Sequence, residues 1–385
     1  MLLRRTRPDQ RSKAHWEWVL LAAGIVLAGV AFASSPDLAR SAAAQTWTPF
    51  VLVTGLLLVG LAAADNGLFE AAGRKLAALT SVDPLFFCGA VALITGVTAV
   101  LNLDTSVVFV TPVLVAAGRR RGRGERSLLY GSLLLANAGS LYLPGSNLTN
   151  LIVLGRDTMS GGAFLAATWP AALSATVVTA VVVRRWSGKH DVAAVRGSAS
   201  HGEPVIRWGA GGIGVIVTVA LVLVLRSPAV PVLVVGCAVG VLHMKRGRLT
   251  LRRVGSTVAP HVLLGLFGAA VAAGTLGRAW HGPATALAHL NVAGTAALGA
   301  LFSLVINNLP AAALLAAHRP PHPLALLVGL NLGPNVAVTG SLAWFLWLRI
   351  ARVSGAEPSV RMASRYGLVV VPLSMAIALL ALWVV

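Results

Sequence analysis

Charge is scarce in this chain. Of its 385 residues, 11% are charged, and 12 carboxylates stand against 31 lysines and arginines. Soluble domains carry about a quarter charged residues, so a soluble fold is excluded. Cysteine is nearly absent: Cys88 and Cys237 stand alone inside apolar runs, where a free thiol acts as a small hydrophobe. Without CxxC or His-rich spacing there is no basis for a disulfide frame, a zinc site or another metal centre. The chain also lacks GxxxxGK[ST] and any soluble segment of domain size, which removes an ATP-driven pump in one polypeptide. A soluble ATPase partner stays open, and no cofactor is called for.

What is there is apolar. Hydrophobic residues make up 57% of the chain, with a mean hydropathy of +0.81. Runs such as Trp18 to Ala33, Ala163 to Val183 and Tyr366 to Val385 have the length and character of spanning helices. The formal charge of +19 does not point to nucleic acid, because the basic residues fall in short segments between these runs. They are Arg4 to Lys13, Arg119 to Arg126, Arg184 to Arg207, Lys245 to Arg253 and Arg349 to Arg365. That is the pattern of cytoplasmic loops, which also touch anionic lipid. It predicts a multi-pass cell-membrane protein with a cytoplasmic N-terminus and a retained first helix, since no small-residue cleavage site follows it.

Two regions about two hundred residues apart interrupt apolar runs in the same way. The first is Asn102-Leu103-Asp104-Thr105-Ser106, followed by Pro144-Gly145-Ser146-Asn147-Leu148-Thr149-Asn150. The second is Asn307-Asn308-Leu309-Pro310, followed by Asn331-Leu332-Gly333-Pro334-Asn335. Lipid satisfies no freed backbone group, so such breaks persist only where protein or a watery cavity surrounds them. Paired breaks in matching positions are the sequence mark of a transporter's central site.

With the basic loops on one side, the topology follows. Helices over about 16–34 and 47–65 precede an amphipathic surface segment, 66–80. Arms over about 83–101 and 104–118 flank the first polar tip, as a re-entrant hairpin or as two short spans. A broken helix (127–155) and a span (162–183) complete this set. Two linking helices, about 208–226 and 229–243, follow a basic loop. The plan then recurs inverted: span 258–276, hairpin 291–318, broken helix 323–348 and span 366–385. The expected fold is therefore an all-α polytopic membrane protein with inverted-topology repeats, each holding a re-entrant hairpin and a broken transmembrane helix. Its parts are residues 1–60, a first repeat over 61–183, linking elements over 184–257 and a second repeat over 258–385. In this topology His318, Arg319 and His322 fall on the outer side, against the charge rule. The Gly/Ala-rich span 258–276 serves packing within the subunit or against a neighbour, which leaves a homodimer open.

Asp104 is the one carboxylate deep in the predicted core. A charge there is costly, and such residues mark proton relays, ion sites or substrate pathways. The alternative is an N-cap for a helix beginning at Thr105. Asn102, Thr105, Ser106, Asn307 and Asn308 at the tips are candidate substrate ligands, with turn and cap chemistry as the plain alternative. Ser146, Asn147, Thr149 and Asn150 after the first Pro, and Asn335 and Thr339 after the second, are candidates for the same reason. Asp65, Glu70 and Asp83 read as interfacial groups, solvated or paired with Arg74 and Lys75, and Arg156-Asp157 as an external helix-end pair. No carboxylate–His pair stands out, so an embedded enzyme is disfavoured.

At these motifs the sequence resembles the arsenite efflux permeases, a branch of the wider ion-transporter superfamily that also holds citrate and dicarboxylate carriers. The likeness is carried by Leu135 to Leu151 with its Ser146-Asn147-Leu148-Thr149-Asn150 core, and by Asn102-Leu103-Asp104-Thr105-Ser106 through Thr111-Pro112. Neither tip has the Ser-Asn-Thr of sodium-coupled dicarboxylate carriers. The resemblance implies export of arsenite or antimonite in exchange for protons by alternating access, with Asp104 as the proton site. The alternative is a proton- or sodium-coupled organic-anion carrier of the same fold. With no basic residue in sequence near either break, a neutral hydroxylated solute fits better than a carboxylate.

Overall fold

A computed structural model describes residues 9–79, 83–121, 125–155, 159–187 and 209–384. The basic N-terminal residues 1–8, the loop 188–208 and the Arg156-Asp157 pair lie outside them. Among the described residues every regular element is helical. The first eight are α1 (Asp9–Ser34), α2 (Pro36–Asp65), α3 (Leu68–Leu79), α4 (Asp83–Leu101), α5 (Leu103–Arg121), α6 (Glu125–Gly139), α7 (Leu148–Leu154) and α8 (Gly161–Ser187). Two linkers, α9 (Ala210–Val224) and α10 (Ala229–Lys245), lead to α11 (Leu251–Val258) and α12 (Pro260–Ala279). The rest are α13 (Gly282–His289), α14 (Val292–Ile306), α15 (Asn308–Leu315), α16 (Pro323–Leu332), α17 (Leu342–Val353) and α18 (Val360–Ala381). Among the described residues six helices are long and apolar enough to cross a membrane, and shorter apolar helices lie between them.

The expected series recurs with reversed direction: α2, α3, α4–α5, α6/α7 and α8, then α12, α13, α14–α15, α16/α17 and α18. Contacts at the open ends fix the two orientations. Asp83 at the start of α4 pairs with Arg121 at the end of α5 at 3.0 Å, so these arms form one hairpin with both ends on one face. Arg119 of that hairpin reaches the Ser354 carbonyl beyond α17. α12 starts on this face, where His261 meets Glu17 at 2.6 Å and Glu17 meets Arg349. Its 20 residues rise about 30 Å, the thickness of the hydrocarbon layer. It ends at Arg278, beside Gln45 and, through it, Ala316 at the open end of the second hairpin. The hairpins therefore enter from opposite faces.

Three boundaries differ from expectation. α2 begins at Pro36 and not near 47, because Pro at the first position starts a helix whose Ala39, Ala42 and Thr46 are buried. Asp37 and Arg40 in that turn pair with each other, and they hide the extension from a hydropathy reading. The short external segment after Arg278 contains α13, the counterpart of the amphipathic α3. The span read as 258–276 is preceded by a separate α11, and Ala259 turns between them at positive φ.

The Gly/Ala-rich α12 packs within the subunit. A Cβ at Gly265 or Gly268 would overlap the backbone of Leu20 or Gly24 on α1, so bare glycine lets the two helices touch. Cys88 and Cys237 are free and exposed on outward helix faces, not buried.

Candidate functional site

Three of the four interruptions begin the next helix with an asparagine, whereas α17 after the second break follows Ser341, which makes no side-chain cap. Asn102 Oδ1 accepts from the Thr105 amide at 2.8 Å, Asn147 Oδ1 from Thr149 at 3.3 Å and Asn307 Oδ1 from Leu309 at 3.3 Å. These are N-caps, which satisfy amides that lipid would leave bare. Asn102 and Asn307 also turn at positive φ (77° and 74°), a region asparagine enters more readily than most residues. Two hairpins thus reverse on one residue each.

Capping at the first tip belongs to Asn102, not Asp104. The helix starts at Leu103 and places Asp104 within its first turn, where the helix dipole favours an anion. Asp104 is buried, and no hydrogen bond or ion pair to it is seen among the described residues. Ser106 donates to the Ile94 carbonyl, which ties the two arms together. The Thr98 and Thr105 hydroxyls beside this tip are buried without partners. The tip therefore holds a carboxylate and two hydroxyls with unmet hydrogen-bonding capacity.

Across the core, the two breaks interlock through Asn331. Its Oδ1 accepts from Ser140 Oγ (2.9 Å), Asn147 Nδ2 and Thr149 Oγ1 (3.2 Å). Its Nδ2 donates to Asn150 Oδ1 at 2.7 Å and to the Leu327 carbonyl. Asn150 and Ser146 in turn donate to the freed carbonyls of Ser140 and Leu143. Lower down, Asn137 donates to Asn335 Oδ1 at 2.8 Å, and Asn335 to the Leu134 carbonyl. All of these side chains are buried. The expected ligands Ser146, Asn147, Thr149, Asn150 and Asn335 are thus brought into one web of amides and hydroxyls.

The remaining candidates lie apart from this web. Thr339 donates to the Leu304 carbonyl, and Asn307 Nδ2 donates to the Thr339 carbonyl at 3.2 Å, so the second tip is tied to the second break. Asn308 is buried, with no side-chain hydrogen bond seen among the described residues. α18 closes this side: a Cβ at Gly367 would overlap the Asn335 carbonyl.

Asn331, Asn137 and Ser140 were not singled out as ligands, although all three lie in quoted motifs. The signal was there in Asn331, which stands one helical turn before Asn335 in a buried helix.

A cavity of about 640 Å³ opens on the face opposite the basic loops, with Pro144 and Gly145 of the first break in its wall. Arg226, Arg278 and Arg319 also line it, with Gln45. This overturns the expectation that no basic residue lies near a break: the last turn of α12 and two separate loops deliver them. His318, beside Arg319, stacks on His281 at this end.

The basic face also holds two carboxylate–His pairs that the sequence did not reveal. Glu17 meets His261, and the buried His243 lies 3.9 Å from Asp65 and 3.0 Å from Asn66 Oδ1. Asp65 pairs with Arg253 and Asp83 with Arg121. These contacts pin helix ends together.

Comparison with known proteins agrees with this architecture. Residues 12–330 match the family model described as citrate transporter, CitMHS. The inner membrane protein YbiR of Escherichia coli is 25% identical over 317 residues, which is 80% of this chain and 81% of that protein. The uncharacterized transporter Rv2684 of Mycobacterium tuberculosis is 27% identical over 372 residues, 88% of this chain and 86% of that one. Among solved structures, the YdaH transporter of Alcanivorax borkumensis superposes with a TM-score of 0.57 at 14% identity, over 89% of this chain and 85% of that chain. That likeness speaks to the fold alone. The family match supports the wider grouping to which the motifs pointed; it does not extend to the arsenite permeases.

Proposed function

This chain belongs to the citrate transporter family, and we propose that the solute it moves as a secondary carrier is an organic anion of the carboxylate class. The observation that carries the reading is the family match over residues 12–330. In this reading the solute binds between the hairpin tips and the two breaks, and alternating access exposes it to each face in turn. Asp104 is the coupling group. Among the described residues it has no partner to neutralise it, and it sits at a helix start where it can hold a proton or face a cation. Asn102, Thr105, Ser106 and Asn308 are the proposed nearest ligands, and the Asn331 web is the joint whose rearrangement opens the path.

A second reading keeps the mechanism and changes the cargo to arsenite or antimonite, exported against protons. One observation favours it: the web offers amides and hydroxyls only, which suits a neutral hydroxylated solute.

The test is uptake of labelled citrate and of arsenite into proteoliposomes under imposed proton or sodium gradients. Gradient-driven citrate uptake, inhibited by other di- and tricarboxylates, is the expected outcome. Arsenite movement without carboxylate movement would transfer the conclusion to the second reading.

A further inference from the structure

The arginine-lined cavity is outside the central web and has no role yet. Its wall comes from α2, the first break, the end of α7, the α9–α10 turn, the end of α12 and the segment after α15. Among the described residues lining it there is no carboxylate, and neither Arg226 nor Arg278 has an acidic partner. Arg278 is held in place: one guanidinium nitrogen donates to the Gly274 carbonyl at 2.8 Å and another to Gln45 Oε1 at 2.6 Å. Gln45 is itself anchored, its amide donating to the carbonyls of Ile152 and Ala316. Of the five donors a guanidinium carries, the others are left for a ligand. Arg226 and Arg319 are exposed at the same cavity.

Basic residues on this face run against the charge bias that orients the chain, so topology gives no reason for them. Position does. A volume of about 640 Å³ is in the range of small-molecule sites. Gly145 in the wall is followed directly by Ser146 and Asn147, which belong to the Asn331 web. The first break therefore has one residue in the cavity wall and the next ones in the web.

We propose that Arg226, Arg278 and Arg319 form an anion-capture subsite that takes the carboxylates of a di- or tricarboxylate on this face before or after its passage. The proposal rests on the carboxylate reading above. Arg278 is the fixed member, with Gln45 as its positioning residue, and Arg226 and Arg319 supply the attractive field at the mouth.

The experiment uses the full chain in nanodiscs and proteoliposomes of zwitterionic lipid, with citrate as the probe. Arg226→Gln with Arg319→Gln is the main variant, because both side chains are exposed, and Arg278→Gln is the second. The main variant is expected to raise KM for citrate about tenfold while turnover at saturation holds, and to flatten the dependence of KM on ionic strength. Citrate binding by calorimetry should weaken in parallel. Citrate transport with KM and salt dependence unchanged in both variants would overturn the subsite and leave the carboxylate reading intact. Citrate binding that the variants abolish, in a chain that transports no carboxylate, would keep the subsite and remove that reading. Binding that appears only with anionic lipid, with citrate unable to compete, would assign the arginines to a headgroup and overturn the proposal.

Discussion

At the first hairpin the chain reverses through Asn102, and at the second through Asn307, with φ values three degrees apart (77° and 74°) and the same Oδ1-to-amide cap. Two residues further on, the first tip has Asp104 and the second has Leu309. The second tip is tied to its neighbouring break through Thr339, whereas the carboxylate of the first is buried without a partner among the described residues. Inverted repetition thus supplies two equivalent scaffolds, and only one holds a group that can change charge. In the proposed function the scaffold makes the path, and this asymmetry makes the path responsive to a gradient.

The largest effect should come from erasing the difference. Asp104→Leu gives the first tip the apolar residue of the second, and gradient-driven uptake in proteoliposomes should fall by about two orders of magnitude. Next comes the joint between the breaks. Asn331→Ala leaves Ser140, Asn147, Thr149 and Asn150 short of partners. At about 1 kcal/mol or more for each orphaned group, the loss is about 3–5 kcal/mol, read as a lower unfolding midpoint in detergent. Asn335→Ala, which gives up the bonds to Asn137 and to the Leu134 carbonyl, should cost about 1–2 kcal/mol by the same assay.

The tips themselves come third. Asn102→Ala and Asn307→Ala each lose a cap and force a Cβ-bearing residue without local hydrogen bonds to positive φ, at about 1–3 kcal/mol. Glycine at either position should recover most of that loss, because it keeps the turn. Equal penalties at the two tips would support their equivalence, and a large inequality would break it. The smallest effect belongs to Thr339→Val, which gives up one hydrogen bond to Leu304 for about 1 kcal/mol and should leave KM unmoved.

What could be read from the chain beforehand followed how far each signal extends along it. The hairpin tips and broken helices were legible because Asn, Pro and Gly within Leu- and Val-rich runs are local anomalies. The inverted order was legible because basic segments mark one face. The Asn331 hub was not, since its partners Ser140, Asn147 and Asn150 are more than 180 residues away. The arginine cavity was hidden for the same reason: Arg226, Arg278 and Arg319 each look like a solitary loop charge until three helix ends converge. The pairing of Glu17 with His261 also spans most of the chain.

Coupling through Asp104 is the central claim, and the direct measurement separates coupling from transport. Asp104→Asn would be reconstituted beside the wild type and assayed twice, for citrate uptake driven by an imposed proton or sodium gradient and for citrate exchange with no gradient. Loss of the first with retention of the second is the predicted result, because the variant keeps the site and loses the group that changes charge. Gradient-driven accumulation that persists in Asp104→Asn would contradict the account and place the coupling elsewhere in the chain.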